Sequence, residues 1–212
     1  ETSDEWISTR TGIKSRHVVE GELTSDMALK AASNALKVAE ISGEEVELVV
    51  VATVTPDNTT PAMSGKISAA LGTKPGTPAF DMSAACSGFV YALTMADNMI
   101  RLGQVKTAVV IGAESLSKIT DWTDRNTCVL FGDGAGAVVL RAKEGKGTSA
   151  DTGILATKIF ADGSHYDSLK TTGGVASTQT SGFIFMDGKE VVKYAINSLT
   201  QAAEETMKMA GV

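Results

Sequence analysis

Cys86 is the residue best placed to do chemistry in these 212 residues. It stands in Phe80-Asp-Met-Ser-Ala-Ala-Cys86-Ser-Gly-Phe89, between a short apolar segment that reads as a strand and a run, 86–102, with helical spacing. A cysteine at a helix start meets unpaired backbone N–H groups and the positive end of the helix dipole, which favour the thiolate. Its neighbours Ser83, Ala84, Ala85, Ser87 and Gly88 are small. A substrate carbonyl can therefore approach the sulfur, and backbone N–H groups stay open to serve as an oxyanion hole. This pattern predicts nucleophilic catalysis through a covalent intermediate, a thioester if an acyl group is transferred. The same context also suits an unreactive buried thiol, the commoner fate of a free cysteine. Cys128, in the strand-like Thr127-Cys-Val-Leu-Phe131, reads as filler of that second kind.

Three further residues are candidate ligand contacts. Trp6 and Arg10 are four apart and share a face if their segment is helical. With Arg125 they supply an aromatic face and two guanidinium groups, which suit a base and phosphate oxygens. On spacing alone they read equally as a half-buried aromatic with surface cations. Gly132-Asp-Gly-Ala-Gly136 fails as a dinucleotide fingerprint, because its spacing is G-x-G-x-G and a strand-like run follows where a helix is required. It reads as a tight turn between strands at 127–131 and 135–141. His17 and His165 could act as general bases, but nothing in sequence pairs either with Cys86, and His165 reads as a solvated loop residue. Tyr194, Met207 and Met209, on the last helical run, read as core or interface.

The elements that must position these residues alternate. Residues 25–41 read as a helix capped by Thr24 or Ser25 and stopped by Gly43, 47–54 as a strand buried on both faces, and 62–71 as a helix closed by Gly72. A strand at 78–82, the helix at 86–102 stopped by Gly103, and a buried strand at 106–113 follow. Later segments read as strands at 153–161 and 182–187 and a long amphipathic helix at 189–209. Strand–helix alternation predicts an α/β protein with a mostly parallel sheet covered by helices on both faces. Glu144-Gly-Lys-Gly-Thr-Ser-Ala150 marks a boundary, dividing residues 1–145 from the opening of a second unit, 146–212.

Composition narrows the function classes. A net charge of −6 argues against nucleic acid as partner. No apolar run approaches the roughly 20 residues that span a bilayer, and no membrane association is expected. Two cysteines make no disulfide framework and suit a reducing, cytoplasmic setting. Two histidines and no C-x-x-C predict no metal site. The sequence opens without Met and closes directly after a helical pattern, which reads as a piece of a longer chain.

Thr2-Ser-Asp-Glu-Trp-Ile-Ser-Thr-Arg-Thr-Gly-Ile-Lys-Ser-Arg-His17 closely resembles the N-terminal signature of the β-ketoacyl-acyl carrier protein synthase III family. The Cys86 segment, Thr123–Thr127 with Phe131–Gly136, Ala161-Asp-Gly163 and Met186–Val191 resemble further signatures, so the likeness runs from residue 2 to about residue 195. The resemblance implies a thiolase-like fold, layered αβαβα, in a homodimer; these residues would be its first half and the start of its second. It implies transfer of an acyl group from acyl-CoA, a substrate and not a cofactor, to Cys86. Condensation with malonyl-acyl carrier protein would follow. By the same resemblance Trp6 and Arg125 hold the adenine of CoA, Arg10 meets a CoA phosphate, and Met186 borders the pantetheine tunnel. Two departures matter. The catalytic His and Asn of the family match nothing here and are implied beyond the last helix. Thr60 stands where some members carry a bulky aromatic at the acyl-pocket wall of the dimer partner, and a smaller residue there admits a longer or branched primer; Val192 replaces a common Phe in the tunnel segment. A polyketide starter synthase, a hydroxymethylglutaryl-CoA synthase and a non-catalytic CoA-binding module are the alternatives.

Overall fold

A computed structural model describes residues 2–212. They fall into two compact units. One joins the segment ending at Val19 to Ser115–Asp133 and Phe160–Glu205; the other joins Glu20–Glu114, Gly134–Ile159 and Thr206–Val212.

The second unit is built on a four-stranded sheet. β1 (Leu48–Ala52) is central and wholly buried, as its unbroken Leu-Val-Val-Val-Ala run predicts. It pairs in parallel with β2 (Ala79–Met82) and with β3 (Thr107–Ser115), in register Val49 to Ala79 and Leu48 to Ala108. β4 (Asp133–Arg141) completes the order β2-β1-β3-β4. Just beyond its end the Ala142 N–H donates to the Lys106 carbonyl just before β3, so β4 runs antiparallel to β3.

The period of two along β1 and β3 sends alternate residues to opposite cores. Val49, Val51, Val109 and Ile111 pack with Ala28, Ala32 and Leu36 of α2 (Thr24–Val38) and with Met63 and Ile67 of α3 (Met63–Leu71). Leu48, Val50, Ala108 and Val110 pack with Ala92 and Ala96 of α4 (Gly88–Arg101). Helices therefore cover both faces of the sheet. Ala28 and Ala32, four apart on α2, let the helix approach the sheet closely.

Several expected boundaries shift. α2 stops at Val38, and Glu40, with φ +55°, makes the reversal assigned to Gly43. Thr24 lies inside the helix, and the Asp26 carboxylate caps it by accepting from the Leu23 N–H at 2.9 Å. Gly43 opens a single 3-10 turn, Gly43–Glu45, for a packing reason. A Cβ there would stand 1.8 Å from the Leu71 carbonyl oxygen, which belongs to rigid helical backbone. Gly43→Ala is expected to destabilise the protein by about 3 kcal/mol, the upper end for overpacking, and thermal unfolding reads it directly as a lower Tm. By contrast Gly72 and Gly103, with φ +75° and +71°, end α3 and α4 as the sequence predicts.

The first unit holds α1 (Asp4–Thr11), capped by Ser3, whose side chain accepts from the Trp6 N–H at 3.1 Å. It also holds an antiparallel pair, β5 (Leu169–Thr171) with β6 (Ile184–Met186), of which the sequence showed only the second strand. α5 (Gly188–Ala210) starts there and leaves Val192, Ile196 and Leu199 exposed. Residues 153–161 form no strand: Ile154 and Leu155 are partly buried, Ile159 and Phe160 are exposed, and the backbone joins no sheet. Among the described residues no helix is long and apolar enough to cross a membrane.

Candidate active site

Cys86 sits in a 3-10 turn, Ala85–Ser87, that runs directly into α4. The preceding strand β2 delivers the chain to the carboxyl end of the parallel sheet, where α/β proteins place their ligand sites. Ala85 has φ +45°, a left-handed conformation that costs an alanine about 1 kcal/mol and turns the chain sharply just before the thiol. Cys86 is exposed, unlike a core cysteine.

The thiol opens onto a cavity of about 260 Å³. Ala52, Phe89, Gly112, Ala113, Gly134 and Gly136 line it and make it largely apolar. Gly112 is closely approached: a Cβ there would stand 3.3 Å from the Phe89 ring, tighter than ordinary contact. At Gly134 and Gly136 a Cβ would meet nothing within 4 Å, so these glycines leave open space beside the sulfur. Here the expected Gly-rich turn is corrected. Strand β4 begins at Asp133 and takes both glycines into the sheet, while 127–131 is turn and not strand, so Cys128 sits half-buried in that turn. Ala135, Ala137 and Val139 face the core and hold the strand, which lets the alternate positions go without side chains. Asp133 anchors the strand start by accepting from the Val19 N–H and the Ser117 N–H, each at 2.8 Å, and from the Ser117 hydroxyl at 2.6 Å.

Glu114, at the end of β3, lines the same cavity and was not singled out from the sequence. Its signal was present: an acid closing an otherwise apolar strand at the carboxyl end of a parallel sheet. Burial pushes its carboxyl above the usual range, against the pull of hydrogen bonds from Thr55, Val54 and Thr53.

In the other unit Trp6, Arg10 and Arg125 meet. The Arg125 guanidinium carbon lies 4.1 Å from the Trp6 ring centroid and that of Arg10 4.5 Å, both within cation–π range. The Arg10 contact follows from its helical spacing, whereas Arg125 arrives from a turn 119 positions along the chain, after β3. Met186 lies partly buried on β6, opposite Leu169. His17 is exposed, and its carbonyl accepts from the Asp133 N–H at 2.8 Å. His165 is less solvated than a loop reading allows: its ring stacks on Tyr194 at 3.2 Å between centroids, and Nε2 lies 3.7 Å from the Asp162 carboxylate. Both histidines belong to the unit without Cys86.

Comparison with known proteins is consistent across sequence and fold. Residues 80–163 match the family described as 3-oxoacyl-acyl carrier protein synthase III, the same enzyme class as β-ketoacyl synthase III. The chain is 59% identical to the β-ketoacyl-acyl carrier protein synthase III of Paramagnetospirillum magneticum, over 98% of its own length and 64% of that relative's. It superposes on the crystal structure of the synthase III of Aquifex aeolicus with a TM-score of 0.90 and 46% identity, covering 100% of this chain and 64% of that one. The priming β-ketosynthase of the R1128 polyketide pathway matches with a TM-score of 0.88 and 34% identity, covering 100% of this chain and 63% of that one. The chain thus spans under two thirds of the length of each of these proteins, and over that span it has their thiolase-like α/β fold. The opening signature, the cysteine segment and the fold agree in likening the chain to the β-ketoacyl-acyl carrier protein synthase III family.

Proposed function

We propose that Cys86 is the nucleophile of a condensing acyltransferase that starts fatty-acid synthesis. The observation that carries this reading is the exposed thiol at the start of α4, opening into an apolar cavity. In the first half-reaction the Cys86 sulfur attacks the thioester carbonyl of an acyl-CoA primer; the carbonyl–sulfur bond to CoA breaks and CoA leaves with a proton. In the second, malonyl-acyl carrier protein loses CO2, and the carbon so freed attacks the acyl-cysteine. A β-ketoacyl-acyl carrier protein forms and the thiolate is released.

Trp6 and Arg125 are proposed to take the adenine of CoA between them, and Arg10 to meet a phosphate. The base would enter where the Arg125 guanidinium now covers the ring. Met186 would border the pantetheine. Residues 1–145 would form the first thiolase-like half and 146–212 open the second, within a homodimer in the cytoplasm, a setting in keeping with two free cysteines. The carbanion-forming His and Asn of the family match neither His17 nor His165 and would come from the remaining length of the relatives.

The test is the product formed by the protein that carries this sequence. With acetyl-CoA and malonyl-acyl carrier protein the expected products are CO2 and acetoacetyl-acyl carrier protein in equal amounts. Condensation of acetyl-CoA with acetoacetyl-CoA in place of this would mark a hydroxymethylglutaryl-CoA synthase. CoA binding with no covalent chemistry would mark a binding module. The small Thr60 leads us to expect turnover of longer or branched primers as well.

A further inference from the structure

We propose that Glu114 is a positioning residue for the Cys86 thiol, acting through the turn Thr53–Thr55 that its carboxyl holds. The proposal rests on the acyl-cysteine reading. One carboxylate oxygen accepts from the Val54 N–H at 2.9 Å. The other lies 2.5 Å from the Thr55 hydroxyl and 3.4 Å from that of Thr53. A carboxyl group alone among side chains offers two oxygens that can accept from this many donors.

The turn so held, together with the end of β1 that leads into it, touches the nucleophile segment on both sides of the cysteine. Before it, the Thr53 N–H donates to the Met82 carbonyl at 3.1 Å, at the last residue of β2. After it, Gly88 packs so closely on Ala52 that a Cβ would stand 3.2 Å from the Ala52 Cβ. Two residues separate Met82 from the strained Ala85–Cys86 pair, and one separates Cys86 from Gly88. With both flanks fixed to the end of β1, the direction of the thiol depends on where that end sits. Glu114 sets it from the neighbouring strand. It does so from the wall of the thiol's own cavity, where an unpaired carboxyl would be costly and a paired one is rigid.

The experiment follows acylation of Cys86 with time, as the mass shift of its peptide, across a range of acetyl-CoA concentrations in the protein that carries this sequence. Glu114→Ala is expected to lower the maximal acylation rate about 100-fold, the effect of misplacing a reacting atom by about 1 Å. The half-saturating concentration should stay within about threefold, because CoA contacts elsewhere are intact. Glu114→Gln should recover the rate to within about fivefold, since its amide oxygen accepts from Val54 and the threonine hydroxyls can turn to accept from its NH2. If Glu114→Ala does not fold, Thr55→Val, which removes one hydroxyl from the turn, is expected to slow acylation about tenfold with the fold kept. A wild-type rate in Glu114→Ala overturns the role. So does a Gln variant as slow as Ala, or a loss that tracks the unfolded fraction. A wild-type protein that takes no acyl group from any acyl-CoA overturns the acyl-cysteine reading itself, and the role of Glu114 with it.

Discussion

Cys86→Ala is expected to abolish the acyl adduct that wild-type protein gains from acetyl-CoA, and to reduce condensation by on the order of 10⁴-fold or more. The size follows from the chemistry. Without the sulfur no covalent intermediate forms, and the cavity and CoA contacts that remain can only bind and orient. The substitution removes one atom from an exposed position at the start of α4, so the fold should be unaffected. CoA affinity should therefore change little, which separates loss of chemistry from loss of binding. Cys128→Ala is the control. That residue is half-buried in the turn after Asp124, where its N–H donates to the Asp124 carbonyl at 3.0 Å, a bond that alanine keeps. It should acylate within about twofold of wild type, as expected for substitutions away from the reacting atoms. An adduct that survives Cys86→Ala and vanishes in Cys128→Ala would reverse the assignment. Peptide mass mapping of both variants after one incubation distinguishes the two.

The difference between these cysteines was legible in part. The run before Cys86 and the helical spacing after it located the thiol at a strand-to-helix junction, because β-branched and apolar runs bounded by small residues have few other folds. Buried strands were legible for the same reason: Leu48–Ala52 and residues 108–113 are apolar on both faces and so fit inside a sheet. Helix ends at Gly72 and Gly103 were legible because the left-handed conformation selects glycine. Gly132–Gly136 misled for the converse reason. Glycine promises a turn, yet at 134 and 136 it sits in a strand whose other face carries the packing, and its lack of a side chain leaves room beside the sulfur. Residues 153–161 carried the apolar character of a strand without a sheet neighbour to pair with, and no local pattern reveals a missing neighbour. Glu114 escaped because its partners, Thr53, Val54 and Thr55, are about 60 residues away. Sequence spacing cannot pair an acid with donors at that distance. Arg125 and Trp6 are a similar case: family resemblance linked them, and periodicity could not.

Trp6→Ala is expected to raise the half-saturating concentration of acyl-CoA by about 10- to 100-fold while leaving the maximal rate nearly unchanged, given about 1–3 kcal/mol for stacking a base on an aromatic ring. Arg125 lies 4.1 Å from the Trp6 ring centroid, so a base entering between them must first lift the guanidinium. A cation–π contact at a ring still open to solvent, as the half-buried Trp6 is, is worth about 1 kcal/mol, no more than the stacking that replaces it, so entry of the base remains favourable. The same comparison predicts a smaller effect of Arg125→Ala, about threefold to tenfold, because losing one side of the base is partly offset by a ring that no longer has to be uncovered. If Arg10, 4.5 Å from the centroid, meets the phosphates as proposed, its charge should make the affinity weaken as salt is raised. Steady-state kinetics over acyl-CoA concentration separates these outcomes, with Trp6 emission in a Trp122→Phe background reporting base entry. If Trp6→Ala leaves the half-saturating concentration within twofold, the base is not held at this ring. If it lowers the maximal rate instead, the contribution of Trp6 lies in ordering its own unit rather than in binding CoA.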